Sequence, residues 1–245
     1  MSLPKAIRRI MADIKEYKTG PIDGTAIYQC EDPLTRIYVA VAGPKDSAYE
    51  DGVYFFEFDF PDTYPNEPPK GKFLNWQNSI TRMHPNMYAS GKLCLSILGT
   101  WSGPSWTSAM SLTTIILALQ SIMDDNPLKN EPGYGIGVTQ KHQDYHRIIE
   151  YYNLRDFVIK TLKFTTSSEK TTNNDYLVYF KDFLVSYYLN HHLSISQRIN
   201  NLAEKHPNQF SLSVSYQNVS ALIDYSVLKS NWTNIFNTFT EAISK

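Results

Sequence analysis

Two cysteines in 245 residues are too few for the disulfide framework of a small secreted fold; Cys30 and Cys94 permit one bridge at most. An excess of one charge is also missing. Lys and Arg number 23 against 24 Asp and Glu, so no global field draws the chain to nucleic acid or to an anionic membrane. No apolar run approaches the length of a bilayer span. The first twenty residues carry Arg8, Arg9, Asp13 and Glu16 among their apolar positions and so lack a secretory core segment. A reducing, cytoplasmic or nuclear setting is the expectation. Internal repeats are absent too. A zinc site needs more converging ligands than one Cys and one His, and no metal or organic cofactor is implied.

What is present is an ordinary globular mixture, 42% hydrophobic and 19% charged, which argues against disorder as the dominant state. Ile7, Ile10, Met11 and Ile14 recur at helical spacing, which predicts an amphipathic helix over 4–18 with Lys5, Arg8, Arg9 and Lys15 on a basic outer face. Strand-like segments follow at 25–30, 36–42, 53–60 and 70–74, with Phe56, Phe58 and Phe60 alternating against Glu57 and Asp59. An antiparallel meander is the economical arrangement. Pro61, Pro65, Pro68 and Pro69 stiffen the loop after the third strand. Helical periodicity returns from Ser111 to Asn126-Pro127 and over 139–164. The polar stretch 165–174 reads as a linker. Beyond it, apolar stripes at Phe180–Tyr188, at Ile195–Leu202 behind a Ser194 cap and at Trp232–Ile243 behind Ser230 predict short helices. Such helices need a surface to pack on. The fold class is therefore α+β: a core at 1–164, a linker at 165–174 and a helical extension at 175–245 packed on the core.

Between about 76 and 106 the chain carries little periodicity, and unpatterned segments of that length inside a compact domain are usually functional. This one holds His84-Pro85-Asn86, Gly91 and Cys94. A cysteine beside an amide donor suits acyl transfer through a thioester, because the thiolate accepts the acyl group and the amide can steady the oxyanion. A His84/Cys94 dyad is a second arrangement open to the same residues. Cys30, in an apparent strand, reads as buried filler.

The spacing of His84-Pro85-Asn86, Gly91 and Cys94 resembles the active-site block of the ubiquitin-conjugating enzymes. Gly43-Pro44, Tyr49-Glu50-Asp51-Gly52 and the proline-rich run from Phe60 to Pro69 match the same family, so the resemblance covers 4–164. The insertion Gly99-Thr100-Trp101-Ser102-Gly103-Pro104-Ser105-Trp106 is similar to that of the longer, Z-type subgroup. The resemblance implies a conjugating-enzyme fold, with Cys94 as the residue that takes ubiquitin as a thioester from the activating enzyme. It implies structural roles for His84 and Pro85, and for Asn86 either an oxyanion donor or a brace of the loop. It places a lysine-activating carboxylate at Glu131, with Asn130 as the rival position. It makes Lys5, Arg8, Arg9 and Lys15 a docking face for the activating enzyme. Two departures, Trp106-Thr107-Ser108 and Asn66, fall on the surface where family members dock ligases, so the ligase is not implied. Another ubiquitin-like modifier, or a non-catalytic ubiquitin-binding variant, is the alternative. The second would lack the cysteine.

Overall fold

The structure is a computed structural model describing residues 3–76, 81–135, 137–166 and 175–244. Backbone packing divides it into two compact units, Met1–Ala42 with Tyr54–Met123 and Gly43–Val53 with Asp124–Lys245.

The first unit holds α1 (Lys5–Thr19), β1 (Thr25–Gln29), β2 (Arg36–Ala42), β3 (Val53–Asp59), β4 (Lys70–Leu74) and α2 (Leu112–Ile122). The strands form an antiparallel sheet in the order β1-β2-β3-β4, the expected meander. Ile27 lies opposite Val39, and Phe56 opposite Phe73. Residues Val53 to Phe56 are buried without alternation, as a central strand covered on both faces requires. Gly71 on β4 is a packing necessity. A Cβ there would stand 2.8 Å from both Leu98 Cδ1 and Phe58 Cε1, so the bare backbone admits the cysteine loop onto the sheet.

The α1 helix buries Ile7, Ile10, Ile14 and Tyr17. Met11, expected on that face, is 49% exposed, because the buried stripe runs through Asp13 instead. A buried carboxylate costs several kcal/mol unless it is paired. Asp13 accepts from Arg9 Nε at 2.7 Å, from the Tyr64 hydroxyl, and from Leu112 N–H at 3.3 Å. One side chain thus ties α1 to the proline loop and to the start of α2. Arg9 also donates to the carbonyls of Ser108 (3.0 Å) and Met110 (2.7 Å). It is committed inside the unit, whereas Lys5, Arg8 and Lys15 are exposed.

In the second unit, α3 (Gln140–Tyr152) continues through a π-helical stretch, Asn153–Lys160, into α4 (Thr161–Thr166). Thr165 and Thr166 of the expected linker end α4; the rest of it lies outside the described residues. A 3-10 stretch, Asp175–Phe180, then leads to α5 (Lys181–Lys205), β5 (Phe210–Val214), β6 (Val219–Ile223) and α6 (Tyr225–Ile243).

Two expected caps are corrected. Ser194 lies inside α5 and donates to the His191 carbonyl, because the Leu184, Tyr188, Ile195, Ile199 stripe continues unbroken. Ser230 lies inside α6, whose cap is Asp224, accepting from Val227 N–H at 3.0 Å. The β5–β6 hairpin was not expected.

Arg198 of α5 fastens these later elements to Tyr49-Glu50-Asp51-Gly52. It donates to the Glu50 carbonyl (2.8 Å), to Asp51 Oδ2 (3.3 Å) and to Glu150 Oε1 (2.9 Å). Asn153 Nδ2 donates to the same Glu50 carbonyl at 2.7 Å, and Gly52 leaves room for that amide. Burial pushes the Asp51 carboxyl up, against the pull of the Arg198 charge. Removing one partner from such a cluster leaves uncompensated buried charge. Arg198→Leu is therefore expected to lower stability by about 3–5 kcal/mol in urea unfolding at neutral pH. Parental stability would show that the cluster does not hold this unit.

Candidate active site

The segment from His84 to Thr100 has one short 3-10 turn, Ser96–Leu98, and otherwise satisfies its backbone with local bonds. Met87 N–H donates to the His84 carbonyl at 2.9 Å, and Gly91 N–H to the Tyr88 carbonyl at 3.0 Å. Gly91 turns with φ +89°, in the left-handed region that favours glycine. Its carbonyl accepts from Phe73 N–H at 2.9 Å, pinning the loop to β4.

Asn86 and Cys94 then exchange two bonds. Cys94 N–H donates to the Asn86 carbonyl at 2.9 Å, and Asn86 Nδ2 donates to the Cys94 carbonyl at 2.7 Å. Asn86 is buried, and its Oδ1 has no hydrogen-bond partner among the described residues.

His84 fixes the other side of this pair. Its Nδ1 accepts from Asn86 N–H at 2.9 Å, so the hydrogen sits on Nε2, which donates to the Ile122 carbonyl at the end of α2. Complete burial pushes its pKa down to about 3, against that carbonyl bond and with the nearby Arg82 charge. The imidazole is neutral and both nitrogens are engaged, which leaves no base for a His84/Cys94 dyad. Pro85 is buried, and its carbonyl accepts from Arg82. The Arg82 guanidinium also lies 3.6 Å from the centre of the Tyr88 ring.

Beyond the cysteine, the Thr100 hydroxyl accepts from Leu95 N–H and donates to the Leu93 carbonyl, both at 2.9 Å. That clamp spans Cys94 and was not foreseen from the Gly-Thr-Trp motif. At the far end of the insertion, Trp106 Nε1 donates to the Pro65 carbonyl at 2.7 Å.

Cys94 is 1% exposed. Cys30, expected to be buried, is half-exposed; its thiol is pushed up by desolvation and by Glu57 and Asp59, against Arg36. Glu131 belongs to the second unit, where its Oε2 accepts from the Tyr216 hydroxyl at 2.9 Å. The rival, Asn130, donates to the Pro127 carbonyl at 3.3 Å and to Asp124 at 3.4 Å, closing its own turn.

A family model described as ubiquitin-conjugating enzyme matches residues 9–151, more than half of the chain. The chain belongs to the ubiquitin-conjugating enzyme family. It is 36% identical over 163 residues to ubiquitin-conjugating enzyme E2 Z of Xenopus tropicalis, covering 65% of this chain and 51% of that protein. To E2 Z of Homo sapiens it is 40% identical over 131 residues, covering 54% and 37%. The chain thus spans about half or less of the length of these curated relatives. A solved structure of human ubiquitin-conjugating enzyme E2 G1 is 30% identical, with 50% of this chain and 98% of that one covered at a TM-score of 0.43. The resemblance to the Z-type subgroup accords with the relatives' names.

In this family member His84 gives the loop a pH signature. Its folded pKa lies below the ordinary 6.5, so between that value and about 3 the unfolded chain binds the extra proton. The stability His84 supplies is complete above pH 6.5 and is lost as pH falls, by up to about 1.4 kcal/mol per unit. His84→Gln is expected to cost about 1–3 kcal/mol for each bond orphaned at neutral pH. The gap to the parent should narrow on acidification, as read from denaturant unfolding across that range. A gap independent of pH would contradict the buried neutral imidazole.

Proposed function

We propose that this chain is a ubiquitin-conjugating enzyme whose acyl carrier is Cys94. The Cys94 thiolate attacks the thioester carbonyl joining ubiquitin's C-terminal glycine to the activating enzyme. The tetrahedral adduct collapses with loss of that enzyme's thiolate, leaving ubiquitin on Cys94. A lysine amine, from a substrate or free in solution, then attacks the new thioester, gives up a proton and expels the Cys94 thiolate. Transfer through a ligase is compatible with the same first step, and ATP is spent by the activating enzyme.

The observation that carries this reading is a single cysteine, bonded through its backbone to Asn86, in a chain of this family. The same cysteine disfavours a non-catalytic binding variant. Because the Cys94 side chain is nearly fully buried, the thiol must be uncovered before exchange. Lys5, Arg8 and Lys15 form the exposed basic face for docking an acidic surface of the activating enzyme.

Charging with a panel of activating enzymes and modifiers, followed on non-reducing gels, tests the reading. Ubiquitin should give a thiol-sensitive adduct that Cys94→Ala abolishes and Cys30→Ser retains, and charge reversal at Arg8 and Lys15 should slow its formation. A thiol-sensitive adduct on Cys94→Ala would sink the assignment. An adduct formed only with another ubiquitin-like protein would replace the modifier and keep the chemistry.

Asn86 acts by holding the Cys94 carbonyl, and through it the geometry in which the oxyanion forms. Misplacing the reacting groups by about 1 Å can cost about 100-fold. Asn86→Ala, once loaded, is expected to discharge to free lysine about 100-fold or more slowly than the parent. Discharge at the parental rate would return Asn86 to an ordinary turn.

A further inference from the structure

Cys94 lies between two peptide units, and each unit is held at both of its edges. In the unit before it, the Leu93 carbonyl accepts from the Thr100 hydroxyl and the Cys94 N–H donates to the Asn86 carbonyl, both at 2.9 Å. In the unit after it, the Cys94 carbonyl accepts from Asn86 Nδ2 at 2.7 Å and the Leu95 N–H donates to Thr100 Oγ1 at 2.9 Å. A peptide unit is planar, so bonds on opposite edges fix its orientation. Fixing both planes fixes φ and ψ of the residue between them, and with those angles the direction of its Cα–Cβ bond. The Cys94 sulfur keeps a single rotation, about χ1. Asn86 secures one edge of each plane and Thr100 the other.

The local sequence delivers Thr100 to this place. The 3-10 turn Ser96–Leu98 closes on Gly99, whose φ of 70° lies in the left-handed region and whose N–H donates to the Ser96 carbonyl at 2.9 Å. The chain doubles back, and Thr100 N–H donates to the Leu95 carbonyl at 3.2 Å. One hydroxyl then serves as acceptor and donor at once, which the isosteric valine cannot do. We propose that Thr100 is a positioning residue for thioester exchange: together with Asn86 it sets the line along which the Cys94 sulfur meets a carbonyl carbon. The proposal rests on the reading of Cys94 as the acyl carrier. Covalent attack depends on alignment at the ångström level, so freeing one edge of both planes slows every step made at that sulfur. The sulfur is the nucleophile in charging and the leaving group in discharge, so both steps are affected.

The test is single-turnover transfer of ubiquitin from preloaded activating enzyme to the full-length chain, comparing parent, Thr100→Val, Thr100→Ala and Thr100→Ser. Loading on Cys94 is established first in the parent, and thermal melts record the folding of each variant. Alanine leaves room for water beside the Leu95 N–H, so it serves as a second variant where valine hinders folding. Thr100→Val and Thr100→Ala should lower the maximal charging rate about 10-fold. The concentration giving half-maximal rate should stay within about 2-fold of the parent's. Discharge of the loaded variants to free lysine, expressed per molecule of thioester, should slow by a similar factor. Thr100→Ser returns the hydroxyl and should restore both rates. A loss of stability alone would reduce the amount of loaded enzyme and leave the rate of each loaded molecule unchanged.

Parental rates in Thr100→Val and Thr100→Ala, with the parent charged on Cys94, would overturn the proposal and leave the acyl-carrier reading intact. A raised half-maximal concentration at an unchanged maximal rate would make Thr100 a docking contact and overturn it as well. So would a Thr100→Ser as slow as Thr100→Ala, because the hydroxyl would then not be the group that acts. A parent charged elsewhere than on Cys94, or not charged at all, would remove the acyl-carrier reading and the proposal with it.

Discussion

The candidate active site depends on a reciprocal pair of hydrogen bonds between Asn86 and Cys94. The segment that carries the cysteine has almost no regular structure to hold it, so its polar backbone is satisfied by its own turns and by the edge of β4. Asn86 supplies the backbone carbonyl for the Cys94 N–H and the side-chain amide for the Cys94 carbonyl. Each such bond is worth about 1 kcal/mol net, but leaving either group buried and unpaired costs more. His84 extends the restraint, because a neutral imidazole can accept from Asn86 and donate to the end of α2 at once. Protonation would remove the acceptor, so burial of the ring is what makes the bridge possible. Thr100 closes the other flank around Leu93 and Leu95. The cysteine is thereby set in a frame rather than on a free loop.

The second unit is built on polar contacts that span long stretches of sequence. Arg198 reaches Glu50, Asp51 and Glu150, and the Tyr188 hydroxyl reaches the Phe157 carbonyl at 3.1 Å. Tyr152 donates to the Ser220 carbonyl at 2.7 Å, which fastens α3 to the hairpin. The residues after 175 are thus integral to the packing of α3 and α4. Deleting them would expose buried carboxylates and tyrosines as well as apolar surface.

Much of this was legible in the sequence. The four strands fall within a residue or two of the segments marked by short apolar runs and by the prolines and turn residues that bound them. The cysteine loop was found by the spacing of His84, Asn86 and Cys94, a local signal. Contacts across long sequence separations left no such trace. Arg9 reads as one more cation on a basic face, and only the fold shows its guanidinium on Asp13 and two carbonyls. Arg198 and Tyr216 are equally anonymous in the sequence. The hairpin did carry a signal, since Phe210, Leu212 and Val214 alternate with Ser211 and Ser213. Without an Asn-Gly or Asp-Gly turn it was overshadowed by the helical stripes around it. Ser194 and Ser230 resemble caps by residue type alone. What decides a helix start is whether the apolar stripe begins there, and in both cases it was already running.

The central claim is that Cys94 is the residue that becomes acylated, and peptide mapping of the adduct tests it most directly. Enzyme incubated with activating enzyme, ATP and ubiquitin is quenched at acidic pH and digested without reductant. Mass spectrometry then locates the residue bearing ubiquitin's C-terminal glycine. The account predicts that modification on the Cys94 peptide, lost on treatment with thiol, with the Cys30 peptide unmodified. Modification on Cys30, or an adduct on lysine alone with Cys94 free throughout, would contradict it.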